Sequence, residues 1–152
     1  MSDETVDLAI VVIANLVNIM MIGIFLSRSW GRGDLGRRLG IPLEVLALPV
    51  GAAVVLNVLG NREWWTTVLP CLLIAFLAAE LVLDYILRLD FRQTKVLGPY
   101  LALYYLGLLG MIGYAFGAGK LYGFVTLATY FLNLAATGYS YSRVGHGGRL
   151  PT

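Results

Sequence analysis

The sequence predicts an all-α integral membrane bundle of five transmembrane helices, with the N-terminus outside and the C-terminus cytoplasmic. Three observations carry that expectation. Of 152 residues, 59% are hydrophobic and only 13% charged, with a mean hydropathy of +0.78. A soluble domain carries roughly 25% charged residues, so most of this surface is built to face something other than water. The apolar residues are gathered into runs long enough to cross a ~30 Å hydrocarbon layer as helices. The basic residues are sorted by side. With the N-terminus outside, Arg28, Arg32, Arg37, Arg38, Arg88, Arg92, Lys95, Arg143 and Arg149 fall on the inner side. Only Arg62 and Lys120 fall on the outer. This is a strong positive-inside bias.

The five spans are expected at residues 6–27, 42–60, 66–87, 98–116 and 121–141, forming one transmembrane domain over residues 1–152. The first follows an acidic segment, Asp3-Glu4. That is the opposite of a signal peptide's basic start, so the span is expected to stay in the mature protein. It carries Asn15 and Asn18, three apart and therefore on one helical face. The second starts at Pro42, a residue suited to a first helical turn, and holds Glu44, Pro49 and Asn57. Between these spans lies Arg28 to Pro42, rich in arginine and glycine. It reads as a flexible basic loop whose Arg32, Arg37 and Arg38 suit an anionic lipid headgroup or a phosphate. Positive-inside topology also accounts for its charge.

The third span, TTVLPCLLIAFLAAELVLDYIL, is the one around which the polar chemistry gathers. Glu80 lies ~21 Å in from the outer end at 1.5 Å per residue. Asp84 follows one turn later, and Arg88 one turn after that, giving a stripe in which Asp84 can pair along the helix with Arg88. A carboxylate at the depth of Glu80 costs on the order of 2–3 kcal/mol on insertion scales, so it should face the bundle interior. Tyr104 and Tyr100 of the fourth span share a face at similar depth and could donate to it. Glu80, Asp84 and Tyr104 are therefore the candidate ion or proton site. The bland alternative is a hydrogen bond that fixes helix register.

The fourth span also carries Gly107, Gly110, Gly113 and Gly117 at intervals of three or four, a stripe suited to close helix packing. It offers a face for a homo-oligomer or a partner membrane protein. The fifth span places Thr126, Tyr130, Asn133 and Thr137 on one polar face, which should avoid lipid and could meet Asn18. His146 stands in a polar, glycine-rich tail and reads as solvated.

Much can be set aside. Cys71 is alone, His146 is the only histidine, and no cysteine–histidine cluster exists for zinc. No nucleophile elbow and no phosphate-binding glycine loop is present. No cofactor or metal is expected, and a net charge of +2 gives no reason to expect nucleic acid. The functional expectation is a small polytopic protein of a bacterial or archaeal cytoplasmic membrane. It would act without chemistry, as an interaction, scaffold or accessory subunit in contact with lipid or protein. The alternatives are a proton- or cation-coupled transporter or channel unit using Glu80, and a lipid-headgroup-modifying enzyme.

Overall fold

The computed structural model describes residues 2–88 and 94–144. Asp90, Arg92, His146 and Arg149 lie outside the described residues. The chain is all-helical: α1 Asp3–Ser29, α2 Gly33–Val45, α3 Ala47–Leu59, α4 Trp65–Glu80 with a π-helical continuation Leu81–Ile86, α5 Leu97–Ala118 and α6 Lys120–Val144. Four helical stretches are long and apolar enough to cross a membrane: Asp3–Ser29, Gly33–Leu59, Trp65–Ile86 and Leu97–Ala118. The fifth, α6, has the length, at 25 residues. It is less apolar because Thr126, Thr129, Asn133, Thr137 and Ser140 interrupt it.

The helices close into a ring. α1 packs against α2 and α6, α3 against α4, α4 against α5, and α5 against α6. The core is drawn from one face of each. On α1 that face is Val6, Ile10, Ala14, Val17, Met21 and Ile24, spaced by three and four residues as a helical stripe requires. Against it lie Leu73, Phe76 and Leu77 of α4 with Leu108 and Met111 of α5. The outer faces are apolar too. Leu48, Leu59 and Leu121 are each more than 70% exposed, and Val12, Ile19, Phe124 and Leu132 are also exposed. A water-soluble monomer rarely shows so continuous an apolar surface.

The second helix starts at Gly33 rather than at Pro42, so the basic segment is helical and not a flexible loop. Its glycines serve packing. A Cβ on Gly36 would sit 2.9 Å from Ser27 Oγ of α1, and one on Gly40 would overlap the Tyr85 hydroxyl. Removing those side chains lets α2 lie close to α1 and to the π segment. The α2–α3 break at Leu46 falls where Pro49, lacking an N–H, cannot bond back to the Val45 carbonyl.

The glycine stripe of α5 is filled within the chain. A Cβ at Gly107 would meet the Leu72 carbonyl at 3.3 Å and Leu73 Cα at 3.4 Å. Gly110 and Gly113 face Leu69, and Gly117 faces Trp65. α4 thus packs along the face at which a second copy or a partner is expected, while Gly113 and Gly117 keep an exposed side. The physical reason is the same as for any glycine stripe: two backbones approach where no side chain intervenes.

Candidate functional site: a cavity with charges of both signs

Polar side chains form three layers along the bundle. At the end where α1 finishes, a cavity of about 290 Å³ is lined by Arg28 of α1, Arg37 of α2, Glu80, Asp84, Tyr85 and Arg88, with Gly33, Gly36 and Gly40 forming its α2 wall. Glu80 is 4% exposed and accepts a hydrogen bond from Tyr100 Oη at 3.2 Å. Asp84 forms an ion pair with Arg28 Nη2 at 4.0 Å. Tyr85 donates to the Arg37 carbonyl at 2.9 Å, which holds the basic turn of α2 against the π segment. A second, shallower space of about 350 Å³ continues outward past Tyr85, Arg37 and Arg88 to Asp34, Arg38 and Ile41.

The π winding shapes this site. From Leu81 the turn widens, and Leu87 N–H bonds to the Val82 carbonyl five residues back. The helix ends at Ile86, and Arg88 adopts φ 50°, the left-handed region that arginine rarely takes. Glu80, Asp84 and Arg88 still line one cavity, but the Asp84–Arg88 pair expected along the helix does not form. Asp84 turns to Arg28 across the interface, and Arg88 reaches the cavity from beyond the helix end. π turns of this kind recur at functional sites.

The middle layer is a hydrogen-bonded ladder between α1, α5 and α6. Asn15 Nδ2 donates to Thr126 Oγ1 at 3.0 Å, and Thr129 Oγ1 donates to Asn15 Oδ1 at 2.7 Å. Asn18 Nδ2 donates to Thr129 Oγ1 at 3.2 Å. Asn133 Nδ2 donates to Asn18 Oδ1 at 3.2 Å and to Tyr104 Oη at 2.9 Å. Thr137 bonds back to the Asn133 carbonyl at 2.8 Å. Tyr104 thus belongs to the ladder, and it is Tyr100 that reaches Glu80. Tyr130 is a core residue whose ring lies 5.8 Å from that of the exposed Phe131. A gap of about 10 Å³ separates Glu80 and Tyr100 from Tyr104 and Thr137, which is room for about one water.

The third layer, at the opposite end, is a clasp that nothing in the spacing of the sequence announces. Arg62 binds Asp7 through both terminal nitrogens at 2.8 Å and reaches Asn57 Oδ1 at 2.8 Å. Tyr114 Oη donates to Asp7 Oδ1 at 2.6 Å, and Asn57 Nδ2 donates to the Thr66 carbonyl at 2.7 Å. The hydrogen bonds to Asp7 push the Arg62 guanidinium further above its already high pKa, so the cation is fixed at any working pH. One fork ties α1 to the α3–α4 turn, and Tyr114 adds α5.

Of the residues expected to contact phosphate, Arg37 lines both spaces and Arg38 the outer one, while Arg32 stands exposed at the start of α2. Glu80 and Asp84 come together in one cavity. Missed by the sequence reading are Arg28, Tyr85, Thr129 and the Asp7–Arg62 clasp. Tyr85 lies in the π turn, whose face an α-helical period assigns wrongly, and the clasp joins positions far apart in sequence. Comparison with protein-family models, with curated proteins and with solved structures finds no match to this chain.

Proposed function

We propose that this chain is a five-span protein of the cell membrane, N-terminus outside, that works through contact with lipid and without chemistry. Its inner-side cavity receives a phosphate-bearing headgroup. The observation that carries this is the convergence of Arg28, Arg37 and Arg88 with Glu80 and Asp84 on one open cavity. Guanidinium groups match phosphate oxygens in geometry as well as charge, and a headgroup lies at this depth when basic residues line the inner boundary. The position of Arg88 adds weight. Arginine in a left-handed conformation costs on the order of 1 kcal/mol, a strain relieved by glycine, and the side chain it presents lines the cavity. The ring, in which α6 returns against α1, supports the reading of five spans.

The test is lipid retention. Purified protein, released from micelles in a mass spectrometer under native conditions, should carry phospholipid. Arg37→Gln with Arg88→Gln should reduce the carried fraction about tenfold if two charge-assisted phosphate contacts are lost. Arg143→Gln, at the end of α6, should leave it unchanged. Equal retention in all three proteins would refute the reading.

One observation favours a second reading, a proton- or cation-responsive unit: the cavity reaches Glu80 itself. Infrared difference spectra between pH 5 and 9 decide it. A carboxyl band that titrates in wild type and is missing in Glu80→Gln supports that reading; a band that never moves removes it.

A further inference from the structure

The cavity's charges are arranged by depth. Glu80 is the buried member, Asp84 lies a turn nearer the boundary with its side chain 19% exposed, and Arg37 and Arg88 are exposed at the mouth. Glu44 of α2 lines not this cavity but the apolar groove beside it. Its Oε1 is buried, and among the described residues it has no hydrogen-bond partner. An acidic floor beneath a basic rim is a poor receptor for a purely anionic group, whose charge would meet carboxylates as it enters. It is complementary to a ligand that carries a cation beyond its phosphate.

Beside the cavity runs an apolar groove of about 410 Å³, formed by Ile41, Val45, Leu48 and Leu81 together with Glu44 and Tyr85. Tyr85 borders the cavity, its outward extension and this groove.

We propose that the site takes a zwitterionic aminophospholipid, its ammonium between Glu80 and Asp84, its phosphate at Arg37 and Arg88, and an acyl chain in the groove beside Tyr85. The inference rests on the headgroup reading and adds the class of headgroup. A primary ammonium brings three donors in a compact group, enough to bond to Glu80 and Asp84 together. A shared metal ion fits less well, because no three His, Cys, Asp or Glu side chains among the described residues are placed to hold one. A quaternary ammonium carries the charge without the donors and cannot hydrogen-bond to either carboxylate.

The experiment is a competition. The full chain is equilibrated in micelles with equal amounts of phosphatidylethanolamine, phosphatidylglycerol and phosphatidylcholine of one acyl composition, and bound lipid is read by native mass spectrometry. The ethanolamine lipid should be retained about tenfold over each competitor, as expected for charge-assisted hydrogen bonds the others cannot make. Glu80→Gln with Asp84→Asn should flatten that preference, and soluble glycerophosphoethanolamine should compete weakly for lack of an acyl chain. Equal retention of the three lipids, lost in Arg37→Gln with Arg88→Gln, would overturn the inference and leave the headgroup reading standing. No retained lipid would overturn both. Full competition by the soluble headgroup would overturn the acyl-chain assignment. Should the carboxylate variant fail to fold, the wild-type competition decides alone.

Discussion

At the scale of the residue, burial and donor pairing explain where the polar groups went. Asn133 is fully buried and donates to both Asn18 and Tyr104, while its own Oδ1 is buried without a hydrogen-bond partner among the described residues. Replacing it by leucine, of similar size, leaves the Asn18 carbonyl oxygen and the Tyr104 hydroxyl without that donor. Asn133→Leu should therefore lower stability by about 1 kcal/mol, the usual range for hydrogen bonds inside a bundle. Reversible unfolding in mixed micelles measures this, and an unchanged midpoint would show that the ladder does not hold the bundle. The ladder was half legible in the sequence. Asn15 and Asn18 share a face, and Thr126, Asn133 and Thr137 share another, because polar residues at helical spacing must avoid lipid. Thr129 was hidden because it sits at the edge of that face. The identity of Glu80's tyrosine was hidden for another reason. Tyr100 and Tyr104 are one turn apart on one face, and sequence does not fix how far α5 is shifted along α4.

At the scale of the element, the two departures from regular spacing have one origin. Helical periodicity is read on the assumption of 3.6 residues per turn, and the π turn at Leu81–Ile86 breaks it. Glu80, before the turn, was placed correctly in the bundle interior; Asp84 and Arg88, within and after it, were given the wrong neighbours. Glycine misled in the same way. In α2 it signalled a loop where it permits contact, since sequence shows a missing side chain but not what comes close. The π turn can be tested by deleting Val82. If the extra residue is what widens the turn, its loss restores α-helical winding and rotates Asp84 and Tyr85 by about 100° relative to Glu80. The protein should still fold, and the Tyr85-to-Arg37 contact and lipid retention should both be lost. Full retention of lipid by the deletion variant would show that the winding is incidental to the site. The glycine stripe gives the complementary experiment. Gly107→Leu inserts a side chain against the Leu72 carbonyl and Leu73 Cα, so α4 and α5 must part. Overpacking of this kind costs ~1–3 kcal/mol. The stability of the monomer should fall whatever its oligomeric state. A variant of normal stability would mean that α4 does not fill this face.

At the scale of the whole molecule, orientation decides which leaflet the cavity serves. Both polar ends carry charge, yet they differ in kind. One is a closed fork in which Arg62 is held by Asp7, Asn57 and the more distant Asp3, at 3.7 Å. The other is an open site whose rim arginines face outward. Closed charge pairs cross a membrane during insertion more cheaply than an arginine-rich end does, which favours the proposed orientation with the fork outside and the cavity inside. α6 adds a question that composition leaves open, since its polar ladder makes it the least apolar of the long helices while the ring needs it to close against α1. One labelling experiment answers both. With the exposed Cys71 replaced by alanine, single cysteines at Ser2, Thr94, Lys120 and Ser142 are exposed on intact cells to a membrane-impermeant maleimide. Ser2→Cys and Lys120→Cys should react at once; Thr94→Cys and Ser142→Cys should react only after permeabilisation. If Ser142→Cys reacts from outside with Lys120→Cys, α6 does not cross and the bundle has four spans. If all four positions report the reverse side, the cavity opens to the outer leaflet. The same arginines and carboxylates would then face the lipids there, and the headgroup competition would have to be repeated with outer-leaflet composition.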